Sequence, residues 1–208
     1  MTTKRLVIGI DPGLHGAVAV HDGERIVALE DIPVVQFSHA RIKHRVDGAL
    51  LAKLLEPYVA DCRLAVVERV SARPGEAASS SFCFGYTSGC ILGVLGALRV
   101  PVALPMPVTW KRAMKLGKDK NLSRARAIEM YPDIAGKLSR VKDHDRAESV
   151  LLAAYGIHHL PTHVDQYGVD AWKASMPSAL QGLLTAVPGQ PRTNPNTVRP
   201  QGSKNTLA

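Results

Sequence analysis

The sequence predicts an α/β fold, a mixed sheet with helices on its faces, and two observations lead to this class. Three short apolar runs follow one another near the start with brief turns between them, as in antiparallel hairpins. Further along, strand-like runs alternate with helical patterns, as in chains that form parallel strand pairs. Hydrophobic residues make up 46% of the 208 residues, which is enough to bury a core.

The first strands are expected at three apolar runs, which cover 6–10, 17–21 and 26–29. Asp22-Gly23 separates the second run from the third, and this pair is typical of a tight hairpin turn. Residues 31–46 show no regular pattern, so we expect them to be irregular. A basic cluster falls in this segment: Arg41, Lys43 and Arg45.

Helices and strands alternate through the rest of the predicted domain. Asp47 is expected to cap a helix that runs to about residue 60. Strands are expected at 64–68 and 100–104, with a loop over 71–78 and a long helix between them that ends near residue 98. Later helices are expected at 109–116, 123–131 and 133–139, and from Asp145 through Glu148 to about residue 158.

The length fits one domain with an extension. We predict a folded domain over 1–160 and an extension of uncertain structure over 161–187. Residues 188–208 contain four prolines, several Asn, Gly and Thr, three basic residues and no acid. That composition is typical of a disordered basic tail.

The chain carries a net charge of +8, with a pI of about 9.6. Such a basic balance predicts a polyanionic partner, although charge alone is equally consistent with a role in solubility. The three cysteines, an odd number without a Cys-x-x-Cys pair, argue against a disulfide framework and against a cysteine zinc site. The expected compartment is reducing, and we expect no signal peptide and no membrane span.

Four acids stand at the ends of separate predicted elements. Asp11 and Glu68 each close an apolar strand, while Asp145 and Glu148 lie three residues apart on one helix face. Acids gathered at one point need cations, and Mg²⁺ or Mn²⁺ suits carboxylate oxygens. Each acid alone has an ordinary alternative, since Asp11 suits a turn and Asp145 a helix cap. Glu68, which follows the apolar run Leu-Ala-Val-Val, is the one that these alternatives explain least.

Three ordered motifs carry a resemblance to a known family. They are Ile-Gly-Ile-Asp-Pro-Gly at 8–13, Val-Glu-Arg-Val at 67–70 and Asp-Arg-Ala-Glu-Ser-Val-Leu-Leu-Ala at 145–153. Over residues 4–158 the chain resembles the RuvC family of Holliday junction resolvases, especially its phage-type members, within the ribonuclease-H-like superfamily. The resemblance implies a five-stranded mixed sheet flanked by helices, with Asp11, Glu68, Asp145 and Glu148 as catalytic metal ligands.

The same resemblance implies a function. It suggests a homodimer with two Mg²⁺ ions per site, for which Mn²⁺ substitutes. Such an enzyme nicks opposed strands of a four-way junction and leaves 5′-phosphate and 3′-hydroxyl ends. We expect it to act on branched DNA in the cytoplasm of a bacterial or phage-infected cell, at the nucleoid.

The sequence departs from the bacterial family in two ways. Its last acid is Glu148 where those enzymes carry Asp, and Asp143 lies close enough in sequence to assist or replace Asp145. The bacterial family carries an aromatic residue shortly after the acid that corresponds to Glu68, and this chain has none there. Either Phe82 or Phe84 contacts the junction instead, or the selectivity for junctions is relaxed, and ordinary core packing is the alternative for both phenylalanines. The predicted DNA contacts are Lys111, Lys118, Lys115, Arg73 and Phe82; for each lysine a solvated helix face is the alternative.

Small residues recur every four positions in the long helix, at Gly85, Gly89, Gly93 and Ala97. Because a mid-helix glycine costs roughly 1 kcal/mol relative to alanine, such a stripe suggests that another backbone approaches closely. That backbone belongs either to the chain's own sheet or to a second subunit.

Three other functions stay open on the sequence. A different ribonuclease-H-like nuclease, acting on flaps, forks or RNA–DNA hybrids, would share the same metal chemistry. An actin-like ATPase or sugar kinase also fits the loop after residue 10, but it needs a second domain for which too few residues remain. A non-catalytic junction-binding protein would be expected to lack one of the four acids.

Overall fold

A computed structural model of the protein describes residues 5–36, 44–72, 75–117 and 120–160. The described strands are β1 (Leu6–Ile10), β2 (Ala17–His21), β3 (Ile26–Asp31), β4 (Val34–Gln36), β5 (His44–Val46), β6 (Cys62–Val67) and β7 (Val102–Ala103). The described α-helices are α1 (Gly48–Val59), α2 (Ala78–Ala97), α3 (Pro107–Ala113), α4 (Lys120–Met130) and α5 (His144–His159). The predicted extension over 161–187 and the tail over 188–208 lie outside these residues.

Five strands form one mixed sheet in the order β3-β2-β1-β6-β7. The three strands β1, β2 and β3 pair antiparallel, whereas β1, β6 and β7 pair parallel. The sheet is flanked by helices, and the predicted α/β class is therefore confirmed. β4 and β5 form a separate two-stranded hairpin.

β1, at the centre of the sheet, is apolar throughout because both faces of the sheet are covered there. Alternate side chains point to opposite faces. Val7 belongs to a core cluster with the apolar side chains of α5, and its neighbour Ile8 belongs to a second cluster with α1 and α2. A strand of this kind carries no alternation of polar and apolar residues, so its buried character shows only as an apolar run.

The structure corrects three expectations about elements. Residues 31–46 are not wholly irregular, because β3 extends to Asp31 and the β4–β5 hairpin follows it; strands of three residues are too short to show a period. The last strand of the sheet covers only Val102–Ala103, and the segment Pro132–Leu138 is a 3₁₀ helix. The cap of α1 is as predicted, since the Asp47 carboxylate accepts hydrogen bonds from the backbone N–H groups of residues 49 and 50, at 3.0 Å each.

α2 is an apolar helix with many exposed residues. By length and composition it could cross a membrane, but a single helix of this kind is weak evidence for that, and its inner residues Ile91 and Leu95 are fully buried in the core. A Cβ atom added at Gly85, Gly89 or Gly93 would meet nothing within 4 Å. These glycines therefore do not pack against the described part of the chain's own sheet, and the subunit contact stays a prediction.

A buried histidine at the end of β2, His21, contacts Tyr131, which follows α4. His21 Nε2 lies 2.7 Å from the Tyr131 hydroxyl, and His21 Nδ1 accepts the backbone N–H of residue 23 at 2.8 Å. Nδ1 is therefore unprotonated and the ring is neutral. Burial lowers the pKa of His21 to about 4, from an ordinary value of 6.5.

This histidine predicts an acid-sensitive stability. The unfolded chain takes up the proton near pH 6.5 and the folded chain only near pH 4, so the free energy of unfolding should fall as the pH drops through that window. His21→Gln keeps polar atoms at the site but does not titrate, and its stability should change less between pH 7 and pH 4.5. Urea unfolding at a series of pH values measures the free energy of unfolding of both proteins. The same pH dependence in the wild type and in His21→Gln would contradict the prediction.

Candidate metal centre

The topology of the sheet places Asp11 beside Glu68. β1 and β6 run parallel as neighbours, with Ile10 opposite Val67, and each acid is the next residue along its strand. The backbone N–H of Glu68 also donates to the carbonyl of Ile10, at 3.2 Å. Parallel strands end at the same edge of a sheet, so the two carboxylates emerge together at the carboxyl edge.

A close backbone contact brings α5 to the same place. A Cβ atom on Gly9 would collide with the carbonyl oxygen of Ser149 and the backbone nitrogen of Ala153. Only glycine lets the helix lie this near to β1. Because Glu148 is adjacent to Ser149, and Asp11 lies two residues beyond Gly9, this contact brings the two acids to one point.

Three of the four predicted acids meet there. One carboxylate oxygen from each of Asp11, Glu68 and Glu148 lies within 4.8 Å of the other two. Asp145 is not part of that set, although it lines the same cleft as Asp11 and Glu68. Its Oδ1 lies 2.8 Å from Nε2 of His144.

The negative charges of these neighbouring acids favour the binding of cations. Burial raises the pKa of Asp11 well above its ordinary value, and the nearby charges of Asp145, Glu148 and Glu68 raise it further. The ammonium of Lys111 acts in the opposite direction. Carboxylates kept together at this cost fit a site for hard divalent cations, which oxygen ligands prefer. The donor set therefore suits Mg²⁺ or Mn²⁺.

Three side chains from α3 and α4 hold the acids in place. The indole N–H of Trp110 donates to Oε2 of Glu68 at 2.7 Å. The Lys111 ammonium lies 2.9 and 3.0 Å from the two oxygens of Glu148, and the Ser123 hydroxyl donates to Glu148 at 3.2 Å. Glu148 is only 8% exposed. Because a buried charge is costly without a partner, the ion pair with Lys111 stabilises this carboxylate.

Asp143, the alternative to Asp145, is engaged elsewhere. Its carboxylate receives the guanidinium of Arg140 at 2.7 Å and the backbone N–H of the same residue at 2.7 Å. These bonds lower the pKa of Asp143 and form a capping box at the turn before α5. A carboxylate bound on both oxygens by one arginine is a poor candidate for a metal ligand.

Beside the acidic centre lies a cleft of about 1950 Å³, which Glu148 does not line. Asp11, Glu68 and Asp145 line it, and so do four basic side chains: Arg69, Arg140, Lys142 and Arg146. Two of these are already paired, Arg140 with Asp143 and Arg146 with Asp31. Arg69 and Lys142 are exposed. The lining of the cleft thus contains both the predicted metal ligands and exposed basic residues.

The predicted DNA contacts fall in different places. Phe82 is 64% exposed and lines the cleft together with Phe84, so neither aromatic ring packs in the core. Lys111 points into the acidic centre, where it binds Glu148. Lys115 is exposed beyond the end of α3 and does not line the cleft. Lys118 and Arg73 lie outside the described residues.

Sequence reasoning missed the residues that support the acids. Trp110 lies 42 residues from Glu68, and Ser123 lies 25 residues from Glu148. Contacts between residues so far apart in the sequence leave no local pattern that would predict them. Arg69 and Lys142 carried a weak signal, since each is a basic residue within three positions of a predicted ligand.

Comparison with solved structures agrees with this architecture. The structure of T. thermophilus RuvC in complex with a Holliday junction substrate matches with a TM-score of 0.50 and 18% sequence identity, over 74% of this chain and 97% of that one. The fold is ribonuclease-H-like. A second structure of Thermus thermophilus RuvC matches with a TM-score of 0.44 and 18% identity, over 73% and 94% of the two chains. No protein-family model and no curated protein sequence matches the chain.

Proposed function

We propose that this protein is a metal-dependent, structure-selective DNA endonuclease that resolves four-way junctions. The observation that carries the proposal is the convergence of Asp11, Glu68 and Glu148, whose ligand atoms lie within 4.8 Å of one another. Two of these acids, Asp11 and Glu68, line an open cleft. The RuvC-like fold supports it, since a protein of that fold has been seen with a Holliday junction substrate.

In this proposal Asp11, Glu68 and Glu148 hold divalent cations, and Asp145 completes the set from the rim of the cleft. Two such cations, when bound, supply an activated water and stabilise the departing oxygen in phosphodiester hydrolysis. The carboxylates serve as ligands and do not attack phosphorus themselves. Lys111 neutralises Glu148 in the metal-free protein, and a second role in contacting the DNA backbone is compatible with its position in the site.

The basic residues that line the cleft suit a polyanionic substrate. Arg69 and Lys142, which line the same cleft as the acids, would contact phosphates, and binding should weaken steeply with salt. Phe82 and Phe84, exposed in the same cleft, would stack on unpaired bases at a branch point. Exposed aromatic residues beside a phosphodiesterase centre favour branched DNA over continuous duplex.

Paired nicks on opposed strands require two sites, and we infer a homodimer in which α2 forms the contact. The open stripe of Gly85, Gly89 and Gly93 lets a second backbone approach, and the exposed ring of Tyr86 on the same helix adds apolar area. An exposed apolar helix of this kind on a water-soluble enzyme is typical of a subunit interface.

Gly89→Leu should therefore separate the dimer. The leucine side chain would fill the space that the partner's backbone needs, and the isolated subunit should keep its fold because nothing in the described chain lies within 4 Å of a Cβ at this position. Sedimentation velocity gives the mass, and Gly136→Leu, at another open glycine, is the control. An unchanged dimer in Gly89→Leu would contradict the assigned interface.

One gel distinguishes this function from its rivals. Labelled four-way junction, fork, flap, linear duplex and RNA–DNA hybrid are each incubated with the full chain and Mg²⁺. We expect paired symmetric nicks in the junction that leave 5′-phosphate and 3′-hydroxyl ends, which ligase reseals. Preferential cutting of the flap or the hybrid would favour another ribonuclease-H-like nuclease, and binding without cutting would favour a junction-binding protein.

A further inference from the structure

Trp110 contacts Glu68 directly and Glu148 only through Lys111. Its indole N–H donates to Oε2 of Glu68 at 2.7 Å, which is the short end of the range for such bonds. Its ring lies 5.1 Å, centroid to ammonium, from Lys111, whose ammonium binds Glu148. The side chain is fully buried and comes from α3, while Glu68 follows β6. The rigid indole ring therefore lies between Glu68, to which it bonds, and Lys111, which binds Glu148.

The chemistry of indole suits this position. The N–H is a donor only, so tryptophan does not compete with the carboxylate for a cation. It does not change its protonation state, and its planar ring is held by packing, so the donor stays fixed. A carboxylate has about four acceptor positions, and the indole N–H occupies only one of them.

The geometry points to Trp110 as a positioning residue of the metal centre, which fixes the orientation of Glu68 toward Asp11 and Glu148. This inference rests on the metal-binding part of the proposed function. Groups that hydrogen-bond to metal ligands commonly change metal affinity by 10- to 100-fold when they are removed. Trp110 touches no substrate atom in this assignment and acts through Glu68.

Calorimetric titration of the full chain with Mn²⁺, without DNA, tests the assignment. Trp110→Phe keeps most of the ring volume but removes the N–H, and we expect its Mn²⁺ affinity to fall by about 10- to 100-fold. Tyr131→Phe, which removes one buried hydroxyl contact to His21, is the control and should bind Mn²⁺ as the wild type does. Wild-type affinity in Trp110→Phe would overturn the inference alone. Absence of binding in the wild type would overturn the proposed function and the inference with it.

A second measurement does not depend on the folding of Trp110→Phe. The chain has two tryptophans, so Trp172→Phe leaves a single indole N–H signal in a ¹H–¹⁵N spectrum, which belongs to Trp110. We expect this signal to move when Glu68→Gln is introduced and to move saturably as Mg²⁺ is added. Glu30→Gln, at an exposed acid on β3, should leave it in place. A signal that stays in place in Glu68→Gln would overturn the assignment.

Discussion

Asp11→Asn should abolish cleavage of a four-way junction, with a rate loss of about 10³-fold or more, while binding of the junction is retained. The amide keeps the shape of the side chain but loses the charge that holds a cation, and each tenfold loss in rate corresponds to about 1.4 kcal/mol of transition-state stabilisation. Removing a negative charge from the floor of the cleft should, if anything, tighten binding to DNA. Single-turnover cleavage and gel-shift titration measure the two effects separately.

The same substitution should stabilise the protein in the absence of metal. Burial and three neighbouring acids raise the pKa of Asp11 in the folded chain, so the folded state holds this proton more strongly than the unfolded state does. The metal-free wild type should therefore lose stability as the pH rises through that raised pKa, and Asp11→Asn should not. Asp133→Asn, at an exposed acid, is the control for both experiments. Full cleavage by Asp11→Asn, or equal pH dependence of the two proteins, would contradict the assigned role.

Gly9→Ala is expected to destabilise the fold by about 3 kcal/mol or more, the upper end for overpacking a core. The added methyl group would collide with backbone atoms of Ser149 and Ala153, and backbone cannot move aside as the end of a side chain can. The only relief is a displacement of α5 from β1. Because α5 carries Glu148, any folded fraction should also bind Mn²⁺ more weakly.

Urea unfolding of Gly9→Ala measures the stability, and Gly136→Ala is the matched control because a Cβ at that glycine meets nothing within 4 Å. The control should lie close to the wild type. A Gly9→Ala protein as stable as the control would mean that α5 does not approach β1 as described, and the route by which Glu148 reaches Asp11 would then be wrong.

The sequence predicted the parts of this fold that depend on local pattern. The apolar runs that became β1, β2 and β6 and the Asp47 cap of α1 were all visible, because burial on both faces and capping leave local signatures. The three-residue strands β4 and β5 were missed, since an element that short has no period to detect. The exposure of the glycine stripe in α2 was also undecided, because a stripe looks the same whichever backbone it faces.

The candidate site also has features that the sequence predicted and features that depend on tertiary contacts. The positions of Asp11 and Glu68 after apolar runs suggested that they meet, and the parallel pairing of β1 with β6 is the physical reason. Which of Asp145 and Glu148 comes closer was not predictable from spacing, since it depends on how deeply α5 sinks onto Gly9. The support from Trp110 depends on tertiary contact alone.

The most direct test of the central claim is the location of bound cations in the protein itself. Crystals of the full chain grown with Mn²⁺ would show manganese by its anomalous scattering. We expect at least one ion coordinated jointly by Asp11, Glu68 and Glu148, with Lys111 displaced from Glu148 or sharing it. Well-ordered crystals in saturating Mn²⁺ whose three carboxylates coordinate no ion would contradict it.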